Sequence, residues 1–433
     1  MHESVPAMTD VVTKQCPECG RTITGDRRFV IWCEDCNWNV DAGATPETSE
    51  RLRHRAEKAR TRGQRLYEEL RDKALDRPLA SGSRTASLVL AVAILGAAVA
   101  ILALGVFIVA TNFLTVFAVL VGIPLVLLGL LLRPRLGKLR RGTVVLPPET
   151  APVLYGLVNR VAEQMGAKPV DLIAVTPAFN ASHGQIGLRR RRVLWVGLAL
   201  WNALTAQEQV AILAHELGHQ VNGDLTQGTV VGSALRTLAE LEDVLRVRPG
   251  RPRPTGSLFE ALEALARLLA ELAMRAMGIV VIGLFNLEKE LVFRSQQRAE
   301  YFADALSARV ASTAAAIACL DRCYLARQAT QAVYFAARHA DDGVKPDIWA
   351  AELRYLDEMS EMEWERLRRL NSRDGTAIDS NHPPTNLRIE MLKQQPVEPG
   401  RITLSVQEAR SISAELASGY DLVADLLMAS LAG

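Results

Sequence analysis

The apolar positions of this 433-residue chain are concentrated rather than spread. Between Arg84 and Arg133 lie 48 consecutive residues without a Lys, Arg, Asp or Glu. As α-helix that run is roughly 72 Å long, more than twice a ~30 Å hydrocarbon core, so one span cannot consume it. A helical hairpin can, and a two-span transmembrane hairpin is expected over 85–132. Thr111-Asn112 is the polar break that marks its turn, and Gly122 to Pro124 marks a kink in the second arm. Residues 51–84 hold eleven Lys/Arg, and Arg133, Arg135, Lys138, Arg140 and Arg141 follow the run. Both flanks being basic, the positive-inside rule puts both ends in the cytoplasm, on a multi-pass protein of the cell membrane. The first apolar stretch comes some eighty residues in, so no secretory signal is expected.

Outside the hairpin the pattern is mixed. Residues 46–84 are Arg-rich with helical composition and read as a basic helical linker, a solvated tether rather than an RNA or lipid site. Residues 148–165 carry helical spacing, and 170–176 and 192–196 read as short strands. Thr205, with Glu208 three residues on, makes a capping box that opens the next helix. Residues 247–257 form a Pro/Gly-rich loop. The stretch 258–287 is strongly helical and ends in an apolar run over 277–287. Eleven residues are too few to span a bilayer, so that run is expected to be buried or interfacial. Helical spacing continues over 288–340 and 350–370.

Composition narrows the class. Lys+Arg at 50 against Asp+Glu at 48 gives +2, which gives no footing for a nucleic-acid partner. An apolar share of 49% excludes disorder, and six cysteines are too sparse for a disulfide scaffold.

The candidate chemistry starts at His215-Glu216-Leu217-Gly218-His219. On a helix His215 and His219 are i and i+4, so both imidazoles leave one face and can bind one Zn²⁺. Glu216 sits beside the metal rather than on it, placed to take a proton from a water whose pKa the metal lowers from 15.7 towards ~7. A catalytic zinc needs a third protein ligand and an open position. Glu300 and Asp304, i and i+4 in a helical stretch, offer that ligand and a carboxylate to hydrogen-bond a ligand imidazole. A third element is Asn381-His382-Pro383-Pro384-Thr385-Asn386-Leu387-Arg388, where the prolines stiffen the loop and the next helical turn can bring Arg388 to the same side.

The pieces HELGHQVNGD at 215–224, EYFAD at 300–304 and HPPTNLRI at 382–389, in this order, resemble the zinc metallopeptidase family of HtpX, the CAAX prenyl endopeptidases and the Oma-type proteases. Phe179-Asn180-Ala181, followed by a strand and Gly197-Leu198, looks like that family's substrate-side edge strand. The resemblance covers roughly 145–395 and implies a gluzincin-type endopeptidase, with His215, His219 and Glu300 on zinc and Glu216 as general base. It further implies His382 and Arg388 facing the substrate and the developing oxyanion, and Asn180 and Ala181 at the substrate. HtpX members carry two further apolar spans between the first two motifs. Here only 277–287 is available, so a peripheral catalytic part is expected.

Cys16-Pro17-Glu18-Cys19 and Cys33-Glu34-Asp35-Cys36 lie outside that pattern. Two C-x-x-C pairs thirteen residues apart close a tetrahedral thiolate site without an open position, hence a structural zinc, in a module too small to fold on its own core. Cys319 and Cys323 read as buried small apolar residues. The expected fold class is mainly α (α+β). It comprises a zinc ribbon over 1–45, the basic linker over 46–84, the hairpin, a helical zincin-type domain with a small β-sheet over 145–395, and a helical extension over 396–433. Two function classes follow. One is a membrane-anchored zinc endopeptidase of membrane protein quality control, with one catalytic and one structural Zn²⁺, a peptide or protein substrate and the lipid bilayer as partners. The other is a catalytically silent membrane adaptor whose ribbon recruits a protein or nucleic-acid partner. The presence of Glu216 and all three ligands favours the enzyme.

Overall fold

A computed structural model describes residues 11–43, 50–76, 81–113, 115–134, 137–139, 142–246, 258–339, 345–374 and 382–432. The loop expected over 247–257 and the flanking residues Arg135, Arg140 and Arg141 lie outside the described residues. Strands β1 (Val11–Gln15) and β2 (Thr22–Asp26) precede helices α1 (Glu50–Leu70), α2 (Gly82–Thr111) and α3 (Ile123–Leu131). Then come β3 (Val144–Leu146), α4 (Pro152–Met165), β4 (Leu172–Thr176), β5 (Ala181–Ile186), β6 (Arg191–Gly197), α5 (Leu198–Ala203) and α6 (Ala206–Val221). The rest is helical: α7 (Asp224–Arg246), α8 (Leu258–Ala311), α9 (Thr313–Arg322), α10 (Ala326–Arg338), α11 (Ile348–Asp357), α12 (Glu361–Asp374), α13 (Thr385–Gln394) and α14 (Val406–Ala432). This is the mainly helical α+β class that the sequence predicts.

The apolar run folds back on itself near Thr111-Asn112. The crossing is tight because glycines face the opposite arm: a Cβ on Gly105 would lie 2.6 Å from Val126 N, and one on Gly129 2.6 Å from Leu102 Cβ. The partners 102 with 129, 105 with 126 and 109 with 122 make the arms antiparallel. The kink expected near Gly122 is a π-helical turn over Ala118–Gly122, with Pro124 opening α3. Outward-facing Val89, Val92, Val99, Phe107, Val119 and Leu127 are more than half exposed, an apolar surface that water does not favour.

The second apolar run differs from expectation. Residues 277–287, expected to be buried or interfacial, are part of α8, a continuous 54-residue helix, and apart from Val281 they are not buried. Ile279 is 73% exposed, and the helix is long and apolar enough from Arg267 to Ala311 to cross a membrane, as is α2. Both α7 and α8 pack along α2, burying Ala91, Ile94, Val231, Ala234, Leu238 and Val281 together. Within this seam the Ser87 hydroxyl donates to Glu288 at 2.8 Å.

The stretch expected to be a solvated linker is helical over Glu50–Leu70, but one face is buried. Tyr67, Leu70 and Leu75 pack on Tyr301, Ala305 and Met391, and Arg298 grips Glu69 at 2.7 and 2.9 Å. The i, i+4, i+7 spacing of Gly63, Tyr67 and Leu70 was masked in the sequence by its arginines.

The four-stranded sheet has the order β3-β4-β6-β5, with β4 and β6 parallel and the other pairs antiparallel, which leaves β5 as an edge. Its core is shared with α4, α6 and α14, through Ile173, Leu194, Val210, Leu213, Ile412 and Leu416 among others. The C-terminal helix is thus part of this core rather than an appendage. Glu415 fixes it there by accepting the backbone N–H groups of Val153 and Leu154 at 2.8 and 2.9 Å, at the start of α4.

Glu352 on α11 is fully buried and accepts from Asn202 at 3.1 Å. Burial pushes its carboxyl up to about 8, so the folded chain holds a proton there that the unfolded chain releases at neutral pH. The stability this group contributes is full below the ordinary carboxylate range and lost as pH rises through about 8. Glu352→Gln, neutral throughout, should therefore raise Tm at pH 8 and leave it nearly unchanged at pH 5. Equal shifts at both values would contradict the assignment.

Candidate metal centre

The helix that carries the first motif starts at the expected capping box: Thr205 N–H donates to Glu208 at 2.8 Å. Helix α6 then crosses α8 closely, because a Cβ on Gly218 would lie 3.0 Å from Ala303 Cα. This small-on-small contact between the two motifs lays Glu300 against the histidine face of α6. His215 Nε2 is 3.5 Å from Glu300 Oε2, and His219 Nε2 is 3.4 Å from Glu300 Oε1. One ligand atom from each of the three lies within 4.8 Å of the others.

Both other imidazole nitrogens are held by carboxylates. His215 Nδ1 is 3.0 Å from Asp304 Oδ1, as the sequence predicts, and His219 Nδ1 is 3.0 Å from Asp224 Oδ2. Such partners fix the tautomer that leaves Nε2 free to ligate. Glu300 Oε2 is buried without an aligned hydrogen-bond donor, although cationic groups crowd it. Two imidazoles and one carboxylate form a donor set suited to a divalent cation with an open position. Electrostatics agree. Burial opposes charge on His219, yet Asp224 and Glu300 hold its pKa well above the ordinary imidazole value, so the site favours a positive charge between these groups.

Glu216 is also buried, on the cavity wall beside His215, and its burial raises its pKa against the pull of the two histidines. His382 sits at the mouth, with Nδ1 2.7 Å from Glu300 Oε2, though not aligned for a hydrogen bond. Gly63 of α1 abuts Pro384 and so braces the His-Pro-Pro turn from behind. Arg388 is buried, donating to Asp304 at 2.7 and 2.6 Å with Nη2 3.3 Å from Glu300 Oε2. It lines the cavity in front of Glu216 while Asp304 and Glu300 engage its guanidinium. Asn180 and Ala181 lie at the start of the edge strand β5, where Asn180 accepts from Gly197 N–H at 2.9 Å and lines the cavity in front of Glu216.

Three groups were not singled out from the sequence. Asp224 stood inside the HELGHQVNGD piece, five residues past His219, and its spacing was the available signal. His183 on β5 lines a cavity of about 420 Å³ with His219 and His382, its pKa lowered to about 4 by burial. Arg84, at the start of α2, reaches Asp224 at 3.8 Å and so connects the hairpin to the carboxylate that backs His219. Nothing local in the sequence announces that contact.

The four N-terminal cysteines also converge. Cys16 Sγ is 3.5 Å from Cys36 Sγ and Cys19 Sγ is 3.6 Å from Cys33 Sγ, close to the ~3.8 Å edge of a tetrahedron built on 2.3 Å Zn–S bonds. All four are free thiols. Each pair is followed by a left-handed residue, Gly20 at φ 74° and Asn37 at φ 60°, the two residue types that adopt this turn most readily. Although burial opposes it, backbone hydrogen bonds at Cys19 and Glu18 bring the Cys16 thiol down to about 7.

The profile of peptidase family M48 matches residues 148–395. Protease HtpX of Pseudomonas paraeruginosa and of Pseudomonas aeruginosa are each 26% identical over 223 residues, 48% of this chain and 70% of the relative. Protease HtpX of Pseudomonas putida is 26% identical over 219 residues, 48% of this chain and 69% of the relative. No solved structure is a significant match.

Proposed function

We propose, for a chain that belongs to peptidase family M48 and is thereby a metalloprotease, a membrane-anchored zinc endopeptidase whose cleft lies at the base of the hairpin. The observation that carries this reading is the convergence of His215, His219 and Glu300, each histidine backed by a carboxylate. His215, His219 and Glu300 would hold the catalytic cation. When bound there, Zn²⁺ supplies a Lewis acid that polarises a carbonyl and lowers the pKa of a water.

The chain's own groups do the rest. Glu216 accepts the proton of the attacking water on its carboxylate and returns it to the leaving amine. His382, half-exposed beside Glu300, donates to the oxygen that becomes anionic as the carbonyl turns tetrahedral. Arg388 is a positioning residue. By holding Asp304, it fixes His215 and the orientation of the ligand set. Asn180 and Ala181 present the edge of β5 to an extended substrate backbone. With this cleft beside apolar helices, membrane proteins bearing unfolded segments are the substrates it fits, which is a quality-control role.

A second zinc, held by Cys16, Cys19, Cys33 and Cys36, is structural. The test is a metal count. The full chain should carry two zinc ions and a Cys16→Ser/Cys19→Ser variant one, whereas an unchanged count would remove the ribbon assignment. Incubating the full chain with a peptide library, with and without a chelator, tests the activity, and cleavage that persists without metal would contradict it.

The same reading sets both hairpin ends in the cytoplasm, with the ribbon and the catalytic part on that side. A reporter active only outside the cytoplasm should stay silent after Gly433 and respond when inserted near Thr111. A signal at Gly433 would contradict this topology.

A further inference from the structure

The ribbon is built onto the catalytic half rather than tethered to it. Trp32 is fully buried and its indole N–H donates to Met362 O at 3.1 Å. Arg366 of α12, fixed in a buried two-point pair with Glu363, donates to Val40 O at 2.6 Å. Arg369 stacks on the Trp32 ring at 5.0 Å, and Arg28 reaches Glu358 at 2.7 Å. A module that recruited a separate partner through this face would have to leave α12.

Between the ribbon, α10 and α12 lies a cavity of about 560 Å³. Tyr324 and Asn371 line both it and the smaller cavity in front of Glu216, about 160 Å³, and so place the two side by side. Phe29 of the ribbon and Tyr355 of α11 form an edge-to-face pair, centroids 6.2 Å apart, on one wall. Gln328 and Gln331 of α10 add amides, and Gln328 Oε1 is shielded from water without a donor among the described residues. A buried acceptor without a donor is costly unless something supplies an N–H. Aromatic faces, amides and charges of both signs (Asp41 and Glu363 beside Arg28, Arg327 and Arg366) match a polypeptide.

We propose that this cavity is an exosite that binds an unfolded polypeptide beyond the residues at the scissile bond, with the ribbon as its outer wall. The proposal rests on the endopeptidase reading above. It makes the ribbon part of substrate selection, favouring long unfolded chains over short peptides.

The test uses the full-length protein in detergent on the Glu216→Gln background, which holds substrate without turnover. Fluorescence anisotropy compares an octapeptide with reduced, carboxymethylated lactalbumin as the unfolded chain. Phe29→Ala opens the wall from the ribbon side, and Gln331→Trp fills the cavity from α10 without touching the ribbon. Both should weaken lactalbumin binding about tenfold or more and leave the octapeptide unchanged. With Glu216 restored, Gln331→Trp should raise KM for lactalbumin with kcat for the octapeptide unaltered. Unchanged lactalbumin binding in Gln331→Trp, or equal losses for both probes, would overturn the exosite. Failure to cleave either substrate with selective lactalbumin binding intact would instead contradict the endopeptidase reading alone.

Discussion

Arg388→Met destabilises the catalytic half by about 3–5 kcal/mol, the range for removing one partner of a buried ion pair. Arg388 is buried, and its guanidinium bridges Asp304 at 2.6 and 2.7 Å while lying 3.3 Å from Glu300. Methionine fills a similar volume but leaves two buried carboxylates facing each other across His215. At roughly 2–4 °C per kcal/mol for a unit of this size, Tm should fall by ~6–20 °C. Arg388→Lys restores the charge but not the two-pronged fork, and should recover only part of the loss. Thermal unfolding in detergent with excess metal measures both. A Tm within about 2 °C of the unaltered protein would mean that Asp304 does not depend on Arg388.

The second large effect is kinetic. Glu216→Gln keeps the size and hydrogen bonding of the side chain but cannot accept a proton, so kcat should fall ~10²–10⁴-fold with KM little changed. Glu216 contributes no atom to the His215, His219 and Glu300 cluster, so the metal should stay bound. Steady-state kinetics on one peptide, read beside the metal content of the same sample, separates this from a ligand defect. Near-normal turnover would remove Glu216 from proton transfer.

What the sequence made legible follows from spacing along single elements. An i, i+4 pair on a capped helix brings His215 and His219 to one face, and the apolar run without charges declares a hairpin. Contacts between elements were less visible. The buried face of α1 was hidden among arginines, because three residues in seven suffice to dock a helix while the rest stay charged. The run over 277–287 was too short by its own composition to count as a span, since the helix that continues it on both sides is amphipathic. Arg388 shows the same limit. Its place in a His-Pro-Pro motif pointed to the cleft, whose cavity it lines, but not to its partner Asp304, 84 residues upstream, which holds its guanidinium. The ribbon's cysteine cluster could be read from two C-x-x-C pairs. Its docking could not, because Trp32 and Met362 are separated by 330 residues.

The catalytic metal proposed at His215, His219 and Glu300 is distinct from the one proposed at the cysteines. Elemental analysis of the purified Glu300→Gln protein, after dialysis against a mild chelator and beside Glu216→Gln treated identically, separates the two sites. Glu216→Gln should carry two zinc ions per chain and Glu300→Gln one, the remaining ion lost only when Cys16 and Cys19 are also replaced. Two ions retained in Glu300→Gln would contradict this assignment.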